Sequence, residues 1–380
     1  MFTLNIKKEA LEGAIKKIAG VYSLMAKKDA CVISLQAVVG KRGNEPFKGL
    51  TLILNNGGTQ VASNIFCELS SQLETATTTL VGAEFINAVN ALSALKGDYT
   101  LKETDSSIVV SVGDNDIVVP KKSEGVMPVD FDIKDAGKIQ CQMQFEAADF
   151  KVGVGRVLFA ALADEEKAAG GIGIVATATS LLVRALDGVR VAESSLVPKS
   201  TTLTDASLDF VLSPLSMKQI CANCATGVIV LIKTEKHLIV QLGNDLWQFP
   251  LVAKTFAHKV FDGLKTLVSK GNMSVDRNAL LTALDIVDAT SSAESVSFTL
   301  CQEDGKTVLY GKDRQSKATV EATVEGELPL QIAFATKLFK SCVASFKGEK
   351  VIVSLSDPVK PAVFSAEGET VFVAVAPAKL

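Results

Sequence analysis

The sequence is poor in the residues on which most catalytic centres depend. Its 380 residues contain two histidines and one tryptophan. His237 falls in a predicted strand and His258 in a connecting segment, and neither belongs to a recognisable Ser/His/Asp or Cys/His motif. No apolar run approaches the roughly 20 residues of a membrane span, and the first residues lack the apolar core of a signal peptide. We therefore expect a soluble, cytoplasmic protein that is not an enzyme.

Cysteine is also sparse. The seven cysteines are scattered singly, and their odd number fits a reducing compartment better than a disulfide framework. Cys221 and Cys224 form a CxxC pair, but there is no second pair, and both share the apolar face of a predicted helix. We interpret them as core residues rather than as a redox or zinc site. The acidic segments 130–132 and 164–166 have no partner motif and are predicted to be solvated loops, so we expect no metal and no cofactor.

The chain has little excess charge of either sign. Its formal net charge is −3, whereas a dedicated nucleic-acid-binding domain is usually strongly basic. Any contact with DNA must therefore come from local clustering of cations. Hydrophobic residues make up 48% and charged residues 21% of the sequence, which is enough apolar material for several cores and argues against wholesale disorder.

One pattern occurs three times: a helix, a short polar turn and three strands rich in valine, isoleucine and leucine. Such strands, bounded by glycine, asparagine and aspartate, are typical of an antiparallel meander. The copies cover residues 83–120, 212–251 and 335–377. They recur about every 130 residues, a period that belongs to domains rather than to solenoid repeats. The chain is therefore predicted to contain three domains of one architecture.

Each copy is preceded by a half-domain that begins with a strand and a helix. These first helices are predicted at 7–20, 149–162 and 278–289, each with one apolar stripe. Every domain then has two helices against antiparallel sheets, which is an α+β fold. Segments 121–140 and 254–272 look like linkers, although the second has apolar content of its own. We therefore predict domains at 1–122, 138–255 and 270–380.

Several predicted helices carry cations opposite their apolar stripes. On the predicted helix 336–346, Leu338, Cys342 and Phe346 form the apolar side. The cations on the opposite sides of helices, or just beyond a helix end, are Lys16, Arg156, Lys337, Lys340 and Lys347. They are either ordinary solvated faces or a set that contacts a phosphate backbone without reading bases.

Four features together resemble the bacterial DNA polymerase sliding clamp, or beta clamp, family. They are the threefold repeat, the opening FTLNIKKEALEGAIKKIAG, the segment LDGVRVAESS at 186–195 and the ending VFVAVAPAKL. The resemblance covers the whole chain in order. The chain departs from the usual motifs at Val189, where histidine is usual, and at Ala378, where methionine is usual. It therefore looks like a divergent clamp of bacterial or phage origin, and the clamp fold is the expected fold.

The resemblance implies a head-to-tail homodimeric ring around duplex DNA, held without sequence preference. Its implied partners are a replicative DNA polymerase, a clamp loader and other proteins with a clamp-binding motif, and its implied place is the nucleoid. Lys27, Lys28 and Lys167 match loops that contact DNA in the family. Ile117 matches an interface position that would face Ile286 and Val287 of the other subunit.

The family also carries an apolar cleft that receives short peptide motifs. The cleft positions in this sequence are Leu186, Gly188, Val189, Arg190, Val191, Leu338, Val359, Pro361, Val375, Ala376, Pro377, Ala378 and Leu380. Smaller side chains at Ala376 and Ala378 would widen or flatten the cleft, so the preferred peptide is expected to differ from the usual one.

Two other functions fit parts of the sequence. The chain could be a scaffold that binds peptides without encircling DNA, and charge reversal of the inward cations would separate this function from a clamp. An enzyme in the second domain, using Cys221 or the acidic segment 164–166, is the weaker alternative because no motif supports it.

Overall fold

The helices of the computed structural model follow the apolar stripes of the sequence. The model describes residues 1–23, 32–42, 45–55, 59–69, 76–122, 137–162, 170–243, 245–289, 297–311, 314–328 and 331–378. Within these ranges the α-helices are α1 Lys8–Ser23, α2 Gly82–Leu92, α3 Ala147–Gly155, α4 Pro214–Asn223, α5 Lys259–Lys265, α6 Arg277–Asp288 and α7 Thr336–Ala344. None of these helices is long and apolar enough to cross a membrane.

The first helices of the three repeats bury the stripes that the sequence predicts. Leu11, Ile15 and Ile18 of α1 are at most 2% exposed, as are Leu280 and Leu284 of α6. Helix α6 begins where its sequence supplies a cap, because the Asp276 carboxylate accepts a hydrogen bond of 2.7 Å from the Ala279 N–H.

Two helix predictions and one linker prediction are corrected by the structure. Helix α3 ends at Gly155, well before residue 162, and a short 3-10 turn at Leu158–Ala160 follows it; two glycines in its last turn weaken it. Helix α7 ends at Ala344 and buries Phe339 and Val343, whereas Leu338 is only half-buried. Segment 254–272, predicted as a linker, contains helix α5.

The described residues group into two compact units. The first unit comprises Met1–Ala147, Ser200–Thr204 and Ala222–Leu251, and the second comprises Ala148–Lys199, Asp205–Cys221 and Val252–Leu380. Each unit contains one nine-stranded sheet and one smaller sheet, all antiparallel. The division into three sequence-defined domains stays a prediction.

Within the described ranges, the first unit contains 14 strands. They are β1 Thr3–Ile6, β2 Val32–Arg42, β3 Glu45–Asn55, β4 Gln60–Phe66, β5 Glu68–Leu69, β6 Ala76–Val81, β7 Tyr99–Glu103, β8 Ser107–Val112, β9 Asn115–Pro120, β10 Ile139–Glu146, β14 Ser200–Leu203, β16 Val228–Thr234, β17 His237–Leu242 and β18 Asp245–Pro250. The small sheet has the order β5-β1-β7-β8-β9, and the large sheet has the order β14-β10-β16-β17-β18-β4-β3-β2-β6.

The described part of the second unit contains the remaining 13 strands. They are β11 Ile172–Thr177, β12 Leu181–Leu186, β13 Arg190–Leu196, β15 Ser207–Leu212, β19 Gly271–Asp276, β20 Ser297–Glu303, β21 Lys306–Tyr310, β22 Lys317–Val320, β23 Ala322–Gly326, β24 Gln331–Ala335, β25 Lys350–Leu355, β26 Ala362–Ser365 and β27 Val371–Val375. The large sheet has the order β15-β11-β12-β13-β27-β26-β25-β19-β23, and the small sheet has the order β22-β21-β20-β24.

Each large sheet is two meanders joined edge to edge. In the first unit the joining pair is β18 with β4, and in the second it is β13 with β27. We call these two pairs the seams. The meanders on the two sides of a seam come from different repeats of the sequence, so each seam fuses neighbouring repeats into one sheet.

Candidate DNA and partner interfaces

The small sheets end in strands that have an open edge. Within the described residues, β9 is paired only with β8, and β22 only with β21. Val118 on β9 is 62% exposed, and Ile286 on α6, the helix that packs against β22, is 48% exposed. An unpaired edge with exposed apolar side chains is a template for pairing with another chain.

The interface prediction needs one correction. Ile117 is half-buried on the β9 edge and Ile286 is exposed, so both have surface to offer a second copy. Val287 is fully buried within its own unit because it lies on the apolar stripe of α6. It therefore cannot contact another subunit, and the sequence pattern alone could have placed it in the core.

Lysines lie on the exposed faces of the helices α1 and α7 and just beyond the end of α7. Lys16, Lys337 and Lys347 are exposed. Lys340 forms an ion pair with Asp285 of α6, and both side chains are at least 40% exposed, so the pair contributes little to stability but reduces the local positive charge.

Part of the predicted peptide cleft is covered by the chain itself. Leu186 and Val191 are at most 8% exposed because Phe256 and Phe261 pack against them from segment 252–264. Gly173 makes room for this cover, since a Cβ there would lie 2.4 Å from the Phe256 ring. Leu186 and Val191 therefore offer little surface to a peptide, as does Val375, which is 1% exposed, and the cleft stays a prediction.

A network of charges holds this cover in place. The buried Arg184 donates to Glu193 Oε2 at 2.7 Å and stacks over the Phe261 ring at 5.0 Å. Lys265 of α5 donates to the other Glu193 oxygen at 2.6 Å. Because Glu193 has a cation on each oxygen, its burial does not leave an unpaired charge.

Other predicted cleft residues remain accessible. Val359 is 81% exposed and Val189 is 43% exposed. Leu338, Pro361, Ala376, Pro377 and Ala378 are half-buried. The tail is fixed by two backbone hydrogen bonds of 2.8 Å, from Ala376 N–H to Val189 O and from Ala378 N–H to Ala333 O.

The turn that carries Val189 is held by hydrogen bonds to one carboxylate. The Asp187 carboxylate accepts hydrogen bonds from the Val189 N–H at 3.0 Å and from the Arg190 N–H at 2.7 Å. The exposed Gly188 adopts φ +90, a value that favours glycine. The Arg190 guanidinium donates hydrogen bonds to the Asp187 carboxylate at 2.6 Å and to the Ser341 hydroxyl at 2.8 Å. Arg190 therefore fixes the turn and does not point freely into solvent.

Solved structures with this arrangement belong to DNA polymerase sliding clamps. The DNA polymerase sliding clamp of Pseudomonas aeruginosa matches with a TM-score of 0.84 and 16% sequence identity, covering 100% of both chains. That of Bacillus subtilis matches with a TM-score of 0.83 and 15% identity, covering 100% of this chain and 99% of the other. The DNA polymerase III beta chain of Streptococcus pneumoniae matches with a TM-score of 0.81 and 18% identity, covering 100% of both chains.

The chain has the fold of a bacterial sliding clamp. The resemblance drawn from the sequence motifs and the predicted α+β clamp fold are both confirmed. No protein-family model matches the sequence, and no curated protein matches it.

The clamp fold does not place every predicted cation on an exposed helix face. Arg156 follows the end of α3, is 17% exposed and has Nη1 at 2.9 Å from Glu369 Oε2. It is an internal ion pair, which corrects the prediction that it faces DNA. Lys27, Lys28, Lys167 and the cleft residue Leu380 lie outside the described residues.

Sequence reasoning missed two exposed lysines on the helices of this fold. Lys151 follows the buried Phe150 on α3, and Lys218 follows the buried Met217 on α4. The helical period around those buried residues would have placed both lysines outside.

Cys221 and Cys224, interpreted from the sequence as core residues, are both buried. Cys221 is 7% and Cys224 is 1% exposed. Among the described residues, no group of three or more His, Cys, Asp and Glu side chains could hold a metal ion.

Proposed function

We propose that this protein is a sliding clamp: two copies close head to tail into a ring around duplex DNA and tether a replicative DNA polymerase. One observation carries the proposal: the open edges β9 and β22 occupy the same positions of the repeat as the strands that pair in the two seams. A head-to-tail contact joins two different surfaces, so it closes into a ring only when the rotation between copies permits. The seams supply a pattern for that contact.

Both seams pair the same two positions of the repeat. In the first unit Ala62 lies opposite Leu246, and in the second unit Glu193 lies opposite Phe372. To compare repeats, we start on the strand that leads into the second helix, at the same distance before that helix, and follow paired residues from strand to strand. This path ends at Ala62 in the first repeat and at Glu193 in the second, so the two positions are equivalent. The same tracing of paired residues, started on the first strand of the repeat, ends at Leu246 in the second repeat and at Phe372 in the third. These two positions are therefore also equivalent.

The same tracing identifies the residues that would meet at an open edge. On β22 the position equivalent to Ala62 is Lys317. On β9 the position equivalent to Leu246 is Asp116. A third seam between β22 of one copy and β9 of another would therefore set Lys317 opposite Asp116. Opposite charges at directly facing positions stabilise an antiparallel pair.

The first helices extend the pattern. The tenth residue counted from the start of α1 is Lys17, which forms an ion pair with Asp245 beside the first seam. The tenth from the start of α3 is Arg156, which pairs with Glu369 beside the second seam. The tenth from the start of α6 is the exposed Ile286. An apolar residue suits a contact with Ile117 across a third seam.

The charge of the helices fits a protein that slides. The exposed Lys16, Lys151, Lys218 and Lys337 would give scattered phosphate contacts without base readout. The affinity of such contacts falls steeply with salt, and the formal net charge of −3 keeps them weak. Encirclement then supplies the retention that weak contacts cannot.

Partner proteins would bind the second unit near the accessible end of the predicted cleft. Val189, Val359 and Pro361 offer apolar surface there. Segment 252–264 covers Leu186 and Val191, so the peptide motif of a polymerase, clamp loader or other partner is expected to be shorter or shallower than one that needs those two residues.

A solution mass measurement tests the ring. Sedimentation equilibrium at micromolar concentration is expected to give about twice the 40.1 kDa of one chain. A monomer across the whole concentration range would refute the proposal. A dimer whose retention on DNA is indifferent to reversing Lys16 and Lys337 would favour the peptide-binding scaffold instead.

A further inference from the structure

A cavity of about 650 Å³ opens in the first unit beside the seam between β18 and β4, where Asp245 and Ser63 line it. Its walls are α1, β4, the turn between α4 and β16, and the turn between β17 and β18. Cavities of roughly 300–1,000 Å³ are the usual size for ligand sites. We call it the α1 cavity.

The second unit contains the equivalent place in a filled state. There the Glu369 side chain, 10% exposed, puts Oε1 at 2.8 Å from the Lys347 N–H and 2.6 Å from the Gly348 N–H. Its other oxygen lies 2.9 Å from Arg156 Nη1. One carboxylate is therefore held by two backbone amides and one cation.

The first unit repeats the donors of this site. Lys17 is the equivalent of Arg156 on the first helix. Ala225 and Thr226 stand three and two residues before β16, as Lys347 and Gly348 stand before β25. Both line the α1 cavity, and within the described residues neither backbone N–H has a hydrogen-bond partner.

The first unit does not repeat the carboxylate of the turn. The turn between β26 and β27 in the second unit is equivalent to the turn between β17 and β18 in the first. In the second unit, four residues of this turn, 367–370, lie between the equivalent strand positions, and they include Glu369. The first unit has only two residues there, the first of which is Gly243. The shorter turn has no acidic side chain that could accept hydrogen bonds from the two amides. The cavity therefore corresponds to the place that the Glu369 side chain fills in the second unit.

We propose that the α1 cavity binds the carboxylate of an acidic peptide segment, which takes the place that Glu369 takes in the second unit. The two amides of the α4–β16 turn and the ammonium of Lys17 would hold it. Lys17 Nζ is bound to Asp245, which also accepts a hydrogen bond of 2.7 Å from Ser63. The Lys17 side chain is 41% exposed, and an ammonium has three donors, so it can serve a second carboxylate.

The rest of the cavity limits the ligand. Glu9 and Lys7 both line it, and Lys7 is bound to Asp98 at 2.7 Å, so the walls offer no large excess of positive charge. A single carboxylate carried by a short peptide fits better than a polyanion. The proposal does not depend on the clamp function, because binding here can be measured without DNA.

The probe is the capped peptide AEGETV, which copies residues 366–371 of the chain. Binding is followed by the NMR shifts of the Ala225 and Thr226 amides in the full-length protein. The matched control is AEGQTV, in which the residue corresponding to Glu369 becomes glutamine. Saturable shifts are expected with AEGETV, with binding of AEGQTV weaker by about tenfold because a charge-assisted hydrogen bond is lost.

Two glycine variants separate the cavity from the rest of α1. A Cβ at Gly13 or at Gly20 would meet no atom within 4 Å, but only Gly13 lines the cavity. Gly13→Leu is expected to fold and to weaken AEGETV binding by at least about tenfold, whereas Gly20→Leu leaves it unchanged.

The outcomes decide the proposal. It is overturned if AEGETV gives no saturable shift, if AEGQTV binds as tightly, or if Gly13→Leu and Gly20→Leu behave alike. Free glutarate at the same concentration is expected to bind more weakly than the peptide. Equal binding of glutarate would overturn the assignment to a peptide.

Discussion

Reversing the charge of Asp116 tests the register of the proposed third seam. In that register Asp116→Lys places a lysine directly opposite Lys317 of the other copy. Lys317 is 51% exposed, lies 3.1 Å from Glu303 and sits over the Tyr310 ring with Arg314, so this cluster carries one net positive charge. The variant would bring a second cation against it at both junctions of a ring.

The expected loss follows from cross-strand energetics. An opposite-charge pair contributes about 0.2–1 kcal/mol, and a like-charge pair costs a similar amount. Over two junctions the change is about 1–4 kcal/mol, and the exposure of Lys317 together with its Glu303 partner favours the lower half. At about 1.4 kcal/mol per factor of ten, dimerisation should weaken by about 5- to 50-fold at low salt.

Sedimentation velocity over a dilution series measures this change. Asp105→Lys makes the same charge change in the exposed turn between β7 and β8, off the β9 edge, and is expected to leave dimerisation unchanged. Combining Asp116→Lys with Lys317→Glu should restore most of the affinity. Equal weakening by Asp116→Lys and Asp105→Lys, or no rescue by the double variant, would refute the register.

Three predictions concern stability, each measured by urea unfolding. Lys17→Met should cost about 1–2 kcal/mol, because Asp245 is 8% exposed and would keep its charge without a cation, while the 41% exposure of Lys17 limits the loss. Phe261→Ala should cost about 3–5 kcal/mol by opening the cluster over Leu186 and Val191. Glu103→Gln should flatten the loss of stability in acid. Burial raises the pKa of the Glu103 carboxyl, but hydrogen bonds from Thr78 and Lys121 outweigh burial and hold that pKa below its ordinary value, so the stability that Glu103 contributes at neutral pH is lost as pH falls through the lowered pKa.

Control variants at neighbouring positions test whether these stability effects are specific to the named contacts. Lys16→Met, beside Lys17 but exposed, should change the free energy of unfolding by less than about 0.5 kcal/mol. Val260→Ala on α5, where the side chain is 42% exposed, should cost far less than Phe261→Ala. A Lys17 variant as stable as the Lys16 variant, or a Glu103→Gln protein with an unchanged acid limb, would contradict the respective contact.

The sequence predicts the repeated elements because they rest on local patterns. The stripes of α1 and α6 and the meander strands follow from periods of 3.6 and 2, and the structure keeps them. The seams and their register needed the structure, since strand pairing across repeats depends on contacts between distant residues. Helix α5 was missed because its apolar side chains are interrupted by polar ones in a segment that looks like a linker.

The site residues divide in the same way. Lys337 could be placed outside from the helical period, whereas Arg156 could not, because its partner Glu369 is distant in sequence. The cover over Leu186 and Val191 depends on Phe256 fitting over Gly173, a contact between separate elements that no local pattern contains.

A covalently closed ring tests encirclement of DNA without needing a loader. The proposed register sets Asp116 opposite Lys317, both exposed, so cysteines at these two positions should form a disulfide across each junction on oxidation. The variant is oxidised in the presence of closed circular plasmid and washed at about 1 M salt, where phosphate contacts are screened. A cross-linked ring that encircles DNA is expected to stay on the circular plasmid and to be released when the plasmid is cut once. Equal release from circular and linear DNA by a fully cross-linked dimer would contradict it.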